Sequence, residues 1–116
     1  ALRAAIHTSL LGPEGLTRAA ELSMQRAREA AAALTAIPGV SLYSDAPYAN
    51  EFAVSLPKPA AALVKALCKE GLVPGLPLGR WLPDLPNVLL LACTEKTTPA
   101  HIARLAEAVA RTLPII

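Results

Sequence analysis

Residues 51–67 read Glu51-Phe52-Ala53-Val54-Ser55-Leu56-Pro57-Lys58-Pro59-Ala60-Ala61-Ala62-Leu63-Val64-Lys65-Ala66-Leu67, and the apolar period changes inside this stretch. Phe52, Val54 and Leu56 alternate with Glu51, Ala53 and Ser55, the two-residue period of a strand with one buried face. Pro57-Lys58-Pro59 breaks the strand, and Ala60, Leu63, Val64 and Leu67 then recur at spacings of three and four, with Lys65, Lys69 and Glu70 on the other side. Gly71 is placed to cap that helix. A strand that hands over directly to an amphipathic helix predicts an α+β chain.

Working upstream, residues 40–44 read as a strand, and the turn-rich Asp45-Ala46-Pro47 allows it to pair with residues 51–56 as a hairpin. Gly12-Pro13-Glu14-Gly15 reads as a turn cluster. Beyond it Leu16, Ala20, Met24, Ala27, Ala31 and Leu34 form one helical stripe, predicting a helix over residues 15–36 that stops at Pro38-Gly39. Downstream, residues 72–78 carry too many breakers for more than a short edge strand. Residues 75–87 are the longest expected loop, a common place for functional contacts. Residues 88–93 are the most hydrophobic run and the expected central strand. Thr98-Pro99 opens a last helix whose inward stripe is Ile102, Leu105, Ala106, Val109 and Leu113. The expected architecture is a small, mainly antiparallel sheet with helices on one face.

At 116 residues the chain is one domain with one core, too short for a large cofactor-binding domain plus a second lobe. Its hydrophobic fraction of 53% and charged fraction of 17% predict apolar surface buried against another chain or domain. Every apolar segment is interrupted, so no membrane span is expected. The net charge of +2 comes from scattered single residues, and four aromatics (Tyr43, Tyr48, Phe52, Trp81) make no stacking platform, which argues against nucleic acid as a partner. Cys68 and Cys93 lack companions at metal or redox spacing and read as two buried thiols in a reducing cytoplasm. Eleven prolines with abundant Ala, Leu and Arg suggest a thermophilic or GC-rich source.

Few residues carry chemistry. His7 and His101 have no Asp, Glu or Cys at ligand spacing, no serine sits in a nucleophile elbow, and the glycines build no phosphate loop. Three groups stand out. Asn50, at the start of a strand, either contacts a ligand or neighbouring domain or satisfies turn backbone. Arg80, within Gly79-Arg80-Trp81, places a guanidinium fork suited to a carboxylate in the long loop, or is a surface arginine. Thr94-Glu95-Lys96-Thr97 follows the central strand, where a turn and helix cap explain it equally well.

Leu10-Leu11-Gly12-Pro13-Glu14-Gly15-Leu16, Asn50-Glu51-Phe52, Leu56-Pro57-Lys58-Pro59, Leu78-Gly79-Arg80 and Leu91-Ala92-Cys93-Thr94-Glu95-Lys96-Thr97 occur as consecutive landmarks from about residue 8 to residue 113. Together they resemble the C-terminal part of subunit 1 of the bacterial two-subunit glycine dehydrogenase (decarboxylating), the P-protein of the glycine cleavage system. A histidine stands at the position of Asn50 in the second subunit of that family, which favours subunit 1. The resemblance implies the small lobe of a fold-type-I pyridoxal-phosphate enzyme, with residues 1–14 leading in from a large lobe absent from this sequence. It also implies decarboxylation of glycine with aminomethyl transfer to the lipoyl group of the H-protein, in a heterotetramer with subunit 2.

Pyridoxal phosphate is expected outside this chain. Lys58, Lys65, Lys69 and Lys96 are its only lysines, and none follows a histidine as the family's cofactor lysine does. No catalytic residue is therefore expected here, and the isolated stretch is expected to be inactive. Arg80 and Asn50 remain candidates for an active-site boundary or a substrate contact, Arg80 by analogy with small-lobe arginines that hold substrate carboxylates. Exposed apolar side chains are expected where the large lobe would cover the domain, with Leu2, Ile6, Leu10 and Leu11 among them. The competing readings are a stand-alone α+β module that binds a ligand or dimerises, and a purely structural domain.

Overall fold

The structure is a computed structural model that describes residues 1–116. Its longest element, α1 (Leu2–Thr35), is broken at Gly12, which takes φ 66° and ψ −178°. Only a residue without Cβ adopts that conformation at little cost, and Pro13 then fills the first turn of a new helix, where a missing N–H is harmless. The result is a leading arm, residues 2–11, and a trailing arm, residues 13–35. The expected turn at residues 12–15 is thus a corner between two helical arms, and helix resumes two residues earlier than periodicity indicated. Pro13 reads as a breaker in sequence but acts as a helix starter.

Burial on α1 is confined to Ala27, Ala30, Ala31 and Leu34. Leu16 and Ala20, expected on the buried stripe, are exposed because this part of the helix runs past the sheet. The projecting helix stretches the molecule to 47 × 31 × 28 Å. Its radius of gyration of 15.6 Å exceeds the about 13 Å of a compact chain of this length.

Four strands follow: β1 (Ser41–Leu42), β2 (Glu51–Ser55), β3 (Leu76–Pro77) and β4 (Val88–Ala92). They pair antiparallel throughout in the order β1-β2-β4-β3, so the most apolar run does occupy an inner position. β1 and β2 form the expected hairpin, but β1 is shorter than residues 40–44. After Tyr43 N–H bonds to Ala53 O at 2.9 Å, the chain turns away at Ser44, whose Oγ accepts from Ala46 N–H. β3 is the short edge strand expected in residues 72–78, and Pro77, which has no N–H to donate, suits an edge.

Register divides the sheet's residues cleanly. Phe52 pairs with Leu91 and Val54 with Leu89 on the inner face, while Ala53–Leu90 and Glu51–Ala92 pairs face outward. Helices α2 (Ala60–Cys68) and α3 (Pro99–Thr112) pack with the trailing arm on the inner face. Leu63, Leu67, Leu89, Val54 and Val109 are the large side chains withdrawn completely from water, each stabilising the fold by roughly 1.5–3 kcal/mol before chain entropy is counted. Ile102, Val109 and Leu113 of the expected α3 stripe are buried, and Leu105 and Ala106 are half-buried. Thr98 starts α3 with a capping box: its hydroxyl accepts from His101 N–H at 3.2 Å, and His101 Nδ1 accepts from Thr98 N–H at 3.3 Å.

Candidate functional site

The long loop is more ordered than its composition suggested. Leu78–Arg80 form a single 3-10 turn, and Trp81 N–H and Leu82 N–H both return to Leu78 O, at 3.0 and 2.9 Å. Gly79 is required there: a Cβ would sit 2.8 Å from Pro86 Cα, so the two limbs of the loop touch backbone to backbone. The far limb is tied to the body, since Pro86 O accepts from Ala60 N–H and Asn87 O from Leu56 N–H. Arg80 therefore stands on a braced loop. Its guanidinium lies 5.1 Å from the centre of the Trp81 ring, both side chains are exposed, and no ion pair of the chain uses it. It is a cation held in place by stacking, with its donors free.

Asn50 is engaged instead. Its Nδ2 donates to Cys93 O at 3.2 Å while its own carbonyl accepts from Cys93 N–H at 2.9 Å, which continues the β2–β4 ladder one step past the last paired residues. The Nδ2 bond is the backbone satisfaction that the sequence allowed for this residue.

Arg80 and Asn50 do not converge. Asn50 is opposite Cys93, beyond one end of β4, whereas Arg80 follows Pro77, which pairs with Leu89 near the other end. Four strand residues separate the two levels, roughly 13 Å at 3.3 Å per residue.

The Thr94–Thr97 turn forms part of a feature that the sequence did not reveal. Ala30, Leu72, Pro74, Cys93, Thr97 and His101 line a largely apolar cavity of about 160 Å³ where α1, β4 and the start of α3 meet. Burial raises the Cys93 thiol above its ordinary value, and its hydrogen bond with Thr97 only partly opposes this. A thiol so placed stays protonated and unreactive at neutral pH. Cys68, expected to be buried like Cys93, is exposed, and both cysteines are free. Cys68 follows Leu67 at the end of α2 and so turns away from the Leu63–Leu67 face. No three His, Cys, Asp or Glu side chains gather as metal ligands. No helix is long and apolar enough to cross a membrane.

The lysines do not fit a pyridoxal-phosphate site. Lys58 Nζ donates to Ile116 O at 2.6 Å, Lys65, Lys69 and Lys96 are exposed, and no lysine lines a cavity.

No protein-family model matches the chain. Over 107 residues, 92% of its length, the chain is 59% identical to a protein of Nitratidesulfovibrio vulgaris named "Probable glycine dehydrogenase (decarboxylating) subunit 1". The chain is homologous to a region of glycine dehydrogenase (decarboxylating) subunit 1. The match spans 24% of that relative, so about three quarters of a subunit 1 lies outside it. The subunit 1 of Desulfovibrio desulfuricans is 57% identical over 109 residues, 94% of the chain and 25% of the relative. A crystal structure of glycine decarboxylase (P-protein) of the glycine cleavage system, in inhibitor-bound form, superposes with a TM-score of 0.86. It is 35% identical and covers 94% of this chain and 24% of that one. A NifS-like protein shares the fold at 14% identity, TM-score 0.72, covering 89% of this chain and 30% of that one. The α+β fold is thus that of a domain of fold-type-I pyridoxal-phosphate enzymes, and the resemblance to subunit 1 of the P-protein holds along almost the whole chain.

Proposed function

We propose that these residues are the small lobe of subunit 1 of a glycine decarboxylase, and that residues 1–14 lead in from its large lobe. The observation that carries this reading is the 59% identity to a subunit 1 over 92% of the chain. In this reading the complete enzyme decarboxylates glycine with pyridoxal phosphate bound outside these residues, and passes the aminomethyl group to the lipoyl group of the H-protein in the cytoplasm. Its other partners are the large lobe of the same subunit and subunit 2, in a heterotetramer. The lobe alone is inactive, because none of its lysines is placed to hold the cofactor.

Arg80 is the residue of this lobe assigned to the substrate carboxylate. Its guanidinium is free of internal carboxylates and held by Trp81 on a braced loop. Asn50 is a positioning residue that holds the ends of β2 and β4 together at the boundary of the cleft.

The test is to produce the complete subunit 1 carrying this sequence with subunit 2, pyridoxal phosphate and lipoylated H-protein, and to follow exchange of labelled bicarbonate into the glycine carboxyl group. Exchange by the complex and none by the 116-residue chain is the expected result; an assembled, cofactor-loaded complex without exchange overturns the reading. Arg80→Ala removes a charge-assisted contact of about 1.5–3 kcal/mol, which raises KM for glycine about ten- to a hundredfold. An unchanged KM removes Arg80 from the substrate site.

A further inference from the structure

The cavity where α1, β4 and the start of α3 meet has no part in the proposed reaction, and its walls are fixed by bonds that owe nothing to an occupant. Leu72 N–H returns to Leu67 O at 3.0 Å, and Gly75 approaches β4 so closely that it leaves no room for a Cβ beside Leu90 O. The segment 72–75 is thereby held against the strand. The capping box of Thr98 and His101 fixes the first turn of α3. On the remaining side α1 presents Ala30, a buried methyl where a longer side chain would fill the space. The volume of about 160 Å³ is thus preformed.

Three polar side chains reach the lining, and most of their bonding capacity is already engaged. Thr97 Oγ1 accepts from Thr94 N–H at 3.0 Å, and its one proton is directed to the Cys93 sulfur. The protonated Cys93 thiol is only a weak donor and a weak acceptor. His101 Nδ1 accepts from Thr98 N–H, so the proton of the neutral ring is on Nε2. Nε2–H is the one strong side-chain donor of this lining left without a partner in the chain.

That balance selects the occupant. A buried water needs about two to four polar partners, and the lining offers one strong donor and a thiol. An ion would lie against Leu91, Ile102 and Leu105 with no Asp, Glu, Lys or Arg beside it to offset its lost hydration. An apolar cavity of about this size does take up benzene. We infer that this cavity is a binding site for a small uncharged molecule, about the size of benzene, that is apolar except for one hydrogen-bond acceptor meeting His101 Nε2–H. A short cyclic ketone has that chemistry. The inference concerns these residues alone and does not depend on the decarboxylase reading.

Saturation-transfer proton NMR tests it on the full-length polypeptide that carries this sequence, assembled with its natural subunits, with cyclopentanone and benzene as probes. Cyclopentanone is expected to bind saturably with a Kd on the order of 1 mM. Ala30→Leu fills the cavity and should abolish binding of both probes; Leu105→Phe, on a half-buried wall residue, is a second plug should the first variant fail to fold. His101→Glu keeps an acceptor for Thr98 N–H, as in the usual capping box, but removes the Nε2 donor. It is expected to weaken cyclopentanone binding about five- to tenfold and to leave benzene unchanged. Crystals soaked in cyclopentanone locate the probe without any variant. Absence of saturable binding overturns the inference, and so does density found only outside the cavity or binding that survives in a folded, plugged variant. Equal affinity of cyclopentanone for the parent and a folded His101→Glu variant overturns the acceptor contact, and with it the ligand class.

Discussion

Gly75 is the residue at which a single added methyl should dislodge the loop that carries Arg80. A Cβ on Gly75 would lie 2.3 Å from the carbonyl oxygen of Leu90 and 3.2 Å from its carbonyl carbon. Both are backbone atoms of the inner strand β4, so the obstacle cannot rotate away. Restoring ordinary contact moves β3 about 1 Å from β4, which carries an N–H···O distance near 2.9 Å beyond hydrogen-bonding range. β3 is paired only at Leu76–Leu90 and Pro77–Leu89, so the whole of this short ladder is affected. Two lost hydrogen bonds and local backbone strain cost about 3 kcal/mol, and the stiffer unfolded chain of an alanine variant offsets about 0.5–1 kcal/mol of it. The net loss is about 2 kcal/mol, or a fall of roughly 1 M in the urea midpoint at a slope near 1.5–2 kcal/mol per M. Gly71→Ala provides the comparison: Gly71 has φ 73° but no atom within 4 Å of a Cβ, so strain alone costs about 1 kcal/mol. In urea titrations of the chain, a midpoint for Gly75→Ala equal to that of Gly71→Ala or of the parent would refute the close-approach argument. A matching fall with undisturbed exchange of the Leu90 amide would refute its location.

Thr98→Ala removes the hydroxyl that accepts from His101 N–H, and is expected to lower stability by about 1 kcal/mol in the same titration. Thiol alkylation followed by peptide mass mapping should label exposed Cys68 at neutral pH and leave Cys93 unlabelled until the chain unfolds. Because burial raises the folded-state pKa of Cys93, the unfolded chain releases this proton first as pH rises. Its contribution is therefore present below the ordinary thiol pKa and is lost as pH climbs towards the raised value; replacing Cys93 with Ala should remove that alkaline component of the stability profile.

The elements that could be read in the sequence are those whose signals are local. β2 and α2 declare themselves because the period changes across Pro57-Lys58-Pro59, and α3 because Thr98-Pro99 supplies both a cap and a first-turn proline. The leading arm could not be read in the same way. Pro13 has the same identity whether it ends a helix or begins one, and only the left-handed φ of Gly12 shows that it does both. The stripe through Leu16 and Ala20 is present in the sequence, but its spacing says nothing about whether the sheet extends far enough to cover it. Relations across the sheet were also hidden. Asn50 and Arg80 are individually plausible contacts for a ligand, yet their separation depends on the pairing of β4 with β2 on one side and β3 on the other. The cavity beside Cys93 brings together residues from position 30 to position 105, which no local motif encodes.

The apolar excess and the burial pattern together support the proposal that these residues are a lobe packed beside a larger body. Hydrophobic residues make up 53% of the chain, but only 21 of its 116 residues are buried. The surplus is not spread evenly. One part lies on the leading arm as Leu2, Ile6 and Leu10; another lies along the β3 edge and its loop, where Val73, Leu76, Trp81 and Leu82 are each at least half exposed. Arg80 stands inside this second group, stacked on Trp81 with its donors unpaired. An arginine at the water-exposed edge of a lone domain gains little from a carboxylate, because solvent screens the pair. If the proposed large lobe covered the neighbouring apolar side chains, water would be excluded and the same guanidinium would become a stronger and more directional anion site. Closing the subunit over the exposed edge would thus turn a surface cation into a substrate contact, which is why the Arg80 substitution has to be measured in the assembled enzyme.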